Sequence, residues 1–201
     1  MKNKALIALI VLVAALAFFG FYYLKQDKPP EGNINQENQE ITNEEQSQNK
    51  LVTDDFEIDI PEGWIQIAPA MGASAMAANN SEQSSDPAVQ KINFKSYLAV
   101  SYDTLQGRSL SEYMQTVKIG LQELVPEVSF NEEHDVTING RNAQAMEVEM
   151  SQQGVDFKVL IVAVKGDNDD VWTISFNTTK SSWDGYKEIF SGVANSFNLK
   201  K

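Results

Sequence analysis

His134 is the only histidine among the 201 residues, and it stands in the run Glu132-Glu133-His134-Asp135. An imidazole between carboxylates could act as a general base or a metal ligand. The plainer reading is a solvated charge cluster leading into a strand, and we adopt it. With a single histidine and no cysteine, the usual zinc sets are excluded, His-Glu-x-x-His among them. Thiol catalysis, disulfides and a lipid-attachment cysteine go with them. Asp167-Asn168-Asp169-Asp170 offers the oxygen ligands calcium takes. It lacks the alternating acidic register and the distant bidentate glutamate of the helix-loop-helix site, and Asp and Asn are ordinary turn residues.

Asp54, Asp55, Glu57 and Asp59 could supply the carboxylate pair of glycoside hydrolysis. They fit equally the wet face of an edge strand, where charge blocks aggregation. Gly72-Ala73-Ser74-Ala75-Met76 departs from the G-x-S-x-G elbow at its last position. No phosphate loop or dinucleotide fingerprint is present. Trp64, Trp172 and Trp183 fall within strand and helix patterns and are expected in the core. The reading therefore assigns no catalytic, cofactor-binding or metal-binding residue and no cofactor.

The elements that would position these residues follow from periodicity. FEIDI at 56–60 alternates apolar and acidic, as a half-buried strand does. Pro61-Glu62-Gly63 turns the chain, and 64–67 resumes as strand. Residues 69–87 are small and polar, and we expect a long surface loop with a helical turn around 73–78. A strand is expected over 92–102. Ser109-Leu110-Ser111-Glu112 matches a capping box. Leu110, Tyr113, Met114, Val117, Leu121 and Leu124 then mark one helix face, which stops before Pro126. Four strands follow: 134–138, 141–150, 155–164 and 171–177. Asn139-Gly140, Gly154 and the 166–170 turn separate them. Trp183, Tyr186, Ile189, Phe190, Val193 and Phe197 trace a closing helix. Consecutive hairpins imply antiparallel pairing, and separate runs of strand and helix imply an α+β domain.

FEIDIPEGW, the helix SLSEYMQTVKIGLQEL, the hairpin VTINGRNAQAMEVEM, the strand VWTISF and the closing WDGYKEIFSGVANSF together resemble the PsbP-like family. The resemblance covers most of 51–201. It implies a central antiparallel sheet of about six strands flanked by two main helices. It also implies a binding or assembly role more often than catalysis. Its motifs are structural, and no functional residue carries over.

The N-terminal part sets the expected location. Residues 5–24 hold no charge and no strongly polar side chain. At 1.5 Å per residue, twenty residues span roughly the 30 Å hydrocarbon core. Lys2 and Lys4 precede the run, and Tyr22 and Tyr23 sit at its far end, where such rings favour the interface. We expect a signal-anchor helix over 1–25, with the C-terminal part outside. Cleavage after Ala15-Leu16-Ala17 is the competing reading. Residues 26–50 are rich in Asn, Gln and Glu, a composition that cannot bury enough apolar surface to fold. A flexible linker of that length reaches roughly 25–30 Å. The domain then occupies 51–201.

Net charge is −12, with no basic stripe, which argues against a nucleic-acid partner. The expectation is a single-pass membrane protein of the bacterial envelope. It partners the membrane through residues 5–24 and, through its extracytoplasmic domain, a protein of unknown identity. The role expected is a non-catalytic binding or assembly module. The alternative is an envelope glycan or lipid hydrolase with 69–87 as its lid.

Overall fold

The computed structural model describes residues 49–125 and 127–200. The expected anchor helix and nearly all of the linker lie outside the described residues. Among the described residues no helix is long and apolar enough to cross a membrane.

Seven strands form one antiparallel sheet: β3 (Ile65–Ile67), β4 (Ala75–Ala78), β5 (Tyr97–Thr104), β6 (Ser129–Ile138), β7 (Arg141–Gln152), β8 (Val155–Lys165) and β9 (Asp170–Thr179). Their spatial order is β3-β4-β5-β9-β8-β7-β6. The meander β6 to β9 follows its turn chemistry. Asn139-Gly140 has φ of 47° and 79°, and Gln153-Gly154 has 51° and 79°. Two consecutive left-handed residues twist a hairpin in the sense the strands need. The nearly continuous apolar run of β8 lies between β7 and β9 and is buried on both faces, as such runs usually are.

Each face carries its own layer. On one face lies the helix α2 (Leu110–Leu124), which buries Tyr113, Met114, Val117 and Leu121 in the same cluster as Met146, Val148, Val159 and Ile161. Its capping box is complete: Ser109 N donates to Glu112 Oε2 at 2.7 Å, and Glu112 N to Ser109 Oγ at 3.2 Å. On the other face lies the helix α3 (Trp183–Ser196), with Phe190 stacked on Phe176 at 5.0 Å. Beside it is a separate three-stranded sheet of β1 (Lys50–Val52), β2 (Phe56–Asp59) and β10 (Asn198–Leu199). Leu51, Phe56, Ile58 and Phe197 join this core. Burying one such phenylalanine stabilises by roughly 1.5–3 kcal/mol. Lys200 N donates to Asp55 O at 2.8 Å, so the two ends of the domain meet on one sheet.

Three expectations are corrected. The main sheet has seven strands rather than about six, and the 56–60 strand leaves it for the small sheet. Residues 69–87 are not one long loop: Ala75–Ala78 is strand β4, buried along its whole length, and no helical turn forms there. Ala75 and Ala77 face the α3 core and Met76 and Ala78 the α2 core, so no alternation could show in the sequence. The strand expected over 92–102 begins only at Tyr97. Before it, a short helix α1 (Pro87–Lys91) is capped by Asp86, whose Oδ1 accepts from Ala88 N at 2.8 Å.

The rest of the supposed lid is fastened down. Glu82 accepts from Ser96 N, from Ser96 Oγ at 2.9 Å and from Tyr186 OH at 3.2 Å. Ser96 Oγ also bonds Thr178 at 2.8 Å, and Asn79 Nδ2 donates to Tyr186 OH at 2.8 Å. Glu82 thus ties the 79–96 connection to α3, and Ser96 ties it to β9.

Candidate functional site

At the end of β5 the apolar run gives way to Ser101 and Asp103. Strand geometry turns both to the α2 face, alternate with Tyr102. Ser101 pairs with Thr173 of β9. Tyr113, from the start of α2, is fully buried and shares a 3.3 Å hydrogen bond with Thr173 Oγ1. Arg108 arrives from the connection before α2. Its Nε donates to Leu105 O at 2.8 Å and its Nη1 to Thr116 Oγ1 at 2.9 Å. Its guanidinium lies 5.8 Å from the centre of the Tyr113 ring.

The result is a set of buried polar groups in an apolar layer. Ser101 is 4% exposed and Asp103 7%. Asp103 Oδ1 accepts from Thr104 N at 2.8 Å. Asp103 Oδ2, Ser101 Oγ and Arg108 Nη2 are buried with no hydrogen-bond partner. Burial pushes the Asp103 carboxyl up from its ordinary range, against the Thr104 N–H and the Arg108 charge, which pull it down. Burial likewise pushes the Tyr113 phenol up. These groups can hold a proton and set donor beside acceptor. The sequence reading passed over Asp103 and Arg108. The available signal was a Ser-Tyr-Asp-Thr polar tail on a strand otherwise apolar.

The residues weighed from the sequence lie apart from one another. His134 is exposed, and its Nδ1 lies 2.8 Å from the Glu132 carbonyl, where β6 shifts register between Asn131 and His134. Its acidic neighbours turn to other cations, Glu133 to Lys118 on α2 and Glu132 to Lys187 on α3 at 3.8 Å. In the 167–170 run the carboxylates diverge. Asp167 meets Arg141 at 2.9 Å, Asp169 takes Gly107 N at 3.0 Å and Asp170 takes Tyr102 OH at 2.7 Å. Among the described residues no group of three or more His, Asp or Glu is arranged to hold a metal ion.

Asp54, Asp55 and Asp59 are exposed, and Lys50 lies 3.4 Å from Glu57 and 3.6 Å from Asp59. Ser74 is exposed and hydrogen-bonds through its backbone to Val100. Trp64, Trp172 and Trp183 are all core residues, as expected.

A second charged group lies at the α3 face. Lys158 Nζ is 2.7 Å from Glu147 and 3.4 Å from Glu149, and sits 4.7 Å over the Trp183 ring. Lys180 adds a 2.6 Å contact to Glu149. Lys180, with Lys158, holds the Glu149 carboxyl below the usual range. Burial alone would lower Lys158, but Glu147 and Glu149 outweigh it and hold the ammonium up. The aromatic ring and the two glutamates lock β7, β8 and α3 together.

Comparison with known proteins fits this architecture. A family model described as PsbP matches residues 47–199. A search of curated proteins gives no match. The solution structure of cyanobacterial PsbP (CyanoP) from Synechocystis sp. PCC 6803 superposes with a TM-score of 0.53 at 15% identity, over 72% of this chain and 86% of that one. LpqN of Mycobacterium tuberculosis, described as involved in cell envelope biogenesis, gives 0.56 at 12% identity, over 73% and 83%. PA94 of Pseudomonas aeruginosa, a protein of unknown function, gives 0.52 at 16% identity, over 72% and 92%. At such identities the likeness establishes the fold alone.

Proposed function

Because the chain belongs to the PsbP family, we propose that it is a binding or assembly module held at the membrane, on its outer side, without catalytic activity. The observation that carries this reading is the layout. An uncharged apolar run of twenty residues and a polar linker lead into a domain whose first strand begins at Lys50. That order suits a domain that must stay near a membrane while turning freely to meet a partner. LpqN supports an envelope setting, because the same fold serves there in a protein described as involved in cell envelope biogenesis. Fold likeness alone does not assign a role.

The hydrolase reading draws no specific support. It needs paired carboxylates under a lid, whereas the acidic residues of the small sheet are exposed or set beside Lys50 and the 79–96 connection is fastened by Glu82.

The test is fractionation of cells making the full chain, followed by cross-linking in intact cells. The expected result is a protein that stays with membranes through an alkaline wash, is cut by external protease and cross-links reproducibly to one envelope protein. Release by the wash would remove the anchor. Failure to recover any reproducible partner would remove the assembly role.

A further inference from the structure

We propose that Asn139 is a modification site, open to deamidation by water, and that its conversion releases the C-terminal strand β10. Asn139-Gly140 is the one Asn-Gly pair in the chain. Asparagine is a thermolabile side chain, and a following glycine shields its own backbone nitrogen least because it carries no Cβ. The pair forms the exposed two-residue turn between β6 and β7, with φ of 47° and 79°. A Cβ built on Gly140 would meet nothing within 4 Å. The turn therefore has room for its own nitrogen to swing onto the Asn139 side chain.

The step consumes only water. The Gly140 nitrogen attacks Asn139 Cγ and gives up its proton, the Cγ–Nδ2 bond breaks and ammonia leaves. The cyclic imide so formed takes up one water at either carbonyl and opens to aspartate or isoaspartate. Nothing is oxidised or reduced, and the net exchange is water for ammonia. At neutral pH the product carries a carboxylate where an amide donor stood.

That donor is in use. Asn139 Nδ2 donates to Phe197 O at 2.8 Å. Phe197 stands at the joint between α3 and β10, with its buried ring 5.3 Å from that of Phe56. Beyond it, β10 meets β2 through two residue pairs, Asn198 with Glu57 and Leu199 with Phe56. Lys200 adds its N–H to Asp55 O at 2.8 Å and its ammonium to Thr53 O. With so few bonds, the amide tie is a sizeable part of what fastens the strand. A carboxylate cannot donate, so deamidation sets acceptor against acceptor and leaves the Phe197 carbonyl without its partner, which is costly. Isoaspartate also adds a carbon to the turn backbone and spoils the two-residue hairpin geometry. The coupling runs both ways. An amide held by Phe197 O is not free to turn toward the Gly140 nitrogen, so conversion proceeds from the state in which β10 has opened. Release then becomes permanent.

Peptide mapping of the full chain, aged in detergent at mildly alkaline pH, reads the conversion. Asn139 should be the first asparagine to convert, several-fold more slowly than in the same chain held unfolded in urea. Leu199→Ala, which trims the packing of β10 on the α3 core, should speed conversion several-fold. The converted wild-type chain carries an extra negative charge and separates by ion exchange. Its amides in 55–57 and 198–200 should lose hydrogen-exchange protection several-fold, with α2 amides unchanged. Asn139→Asp should reproduce that loss without ageing. Conversion of another asparagine before Asn139, a rate indifferent to Leu199→Ala, or converted chains with full protection at 198–200 would each overturn the proposal. Exchange of the aged wild-type chain decides even if a variant does not fold.

Discussion

His134 and Glu82 reverse the weight their residue types suggest. A lone histidine among carboxylates attracts a chemical reading, yet it is exposed and its neighbours are committed elsewhere. Glu82 drew no notice within a polar stretch, yet its carboxylate takes Ser96 N, Ser96 Oγ and Tyr186 OH. Ser96 is fully buried, so removing the acceptor strands its N–H away from water. Glu82→Ala should therefore cost about 1–3 kcal/mol. His134→Ala should change stability by no more than about 0.5 kcal/mol. Urea denaturation of both variants in one buffer checks the pair; equal losses would show that Glu82 fastens nothing. Asp103 belongs with Glu82. Its hydrogen bond to Thr104 N is local, but its burial comes from what packs over the end of β5.

At the scale of elements, the parts read correctly were those whose cause is local. The capping box of α2, its apolar face and the Asn139-Gly140 turn all lie within a few residues of chain, and the structure shows each of them. Two glycines test the turn and helix arguments against each other. Gly140 has φ of +79° and a Cβ there would meet nothing within 4 Å, so its substitution costs backbone strain and no clash. Gly140→Ala should lose roughly 1–2 kcal/mol. Gly192 lies inside α3 with equally open space around it. Gly192→Ala should gain up to about 1 kcal/mol through helix propensity. Thermal unfolding of the two single variants reads the opposite signs; a loss at both would mean that steric contact, not conformation, governs these sites. The elements missed, β1, β4, α1 and β10, are two to five residues long and carry little pattern of their own.

For the whole molecule, the main fact is that one sheet is buried on both faces. The α2 core and the α3 core share the strands β4, β5, β7, β8 and β9. Neither core can come apart without exposing a face of the other's sheet. Phe190→Ala removes a ring that stacks on Phe176 at 5.0 Å and on Tyr186 at 5.1 Å. It should cost about 3–5 kcal/mol. Despite lying on the α3 side, the loss should appear as a single transition, with tryptophan fluorescence and far-ultraviolet circular dichroism coincident. Two separated transitions would mean the layers unfold independently. The three tryptophans all report from the α3 core, while the dichroism signal reports from the whole sheet, so the comparison is sensitive to such a split.

The amino-acid order by itself determined the α+β class, the four-strand meander, both long helices and the burial of the three tryptophans. These follow from turn residues, caps and one-sided periodicity, which act over a few residues at a time. Tertiary structure alone decided three further matters. It drew β2 out of the main sheet, because its partners, Lys50–Val52 and Asn198–Leu199, come from the two ends of the domain. It made Ala75–Ala78 a strand, because alanines and a methionine buried on both faces show no alternation until two cores cover them. It also buried Asp103 on the sheet face that α2 covers. A charge's environment depends on what packs over it, and that depends on the placement of α2 on the sheet, which no local pattern specifies.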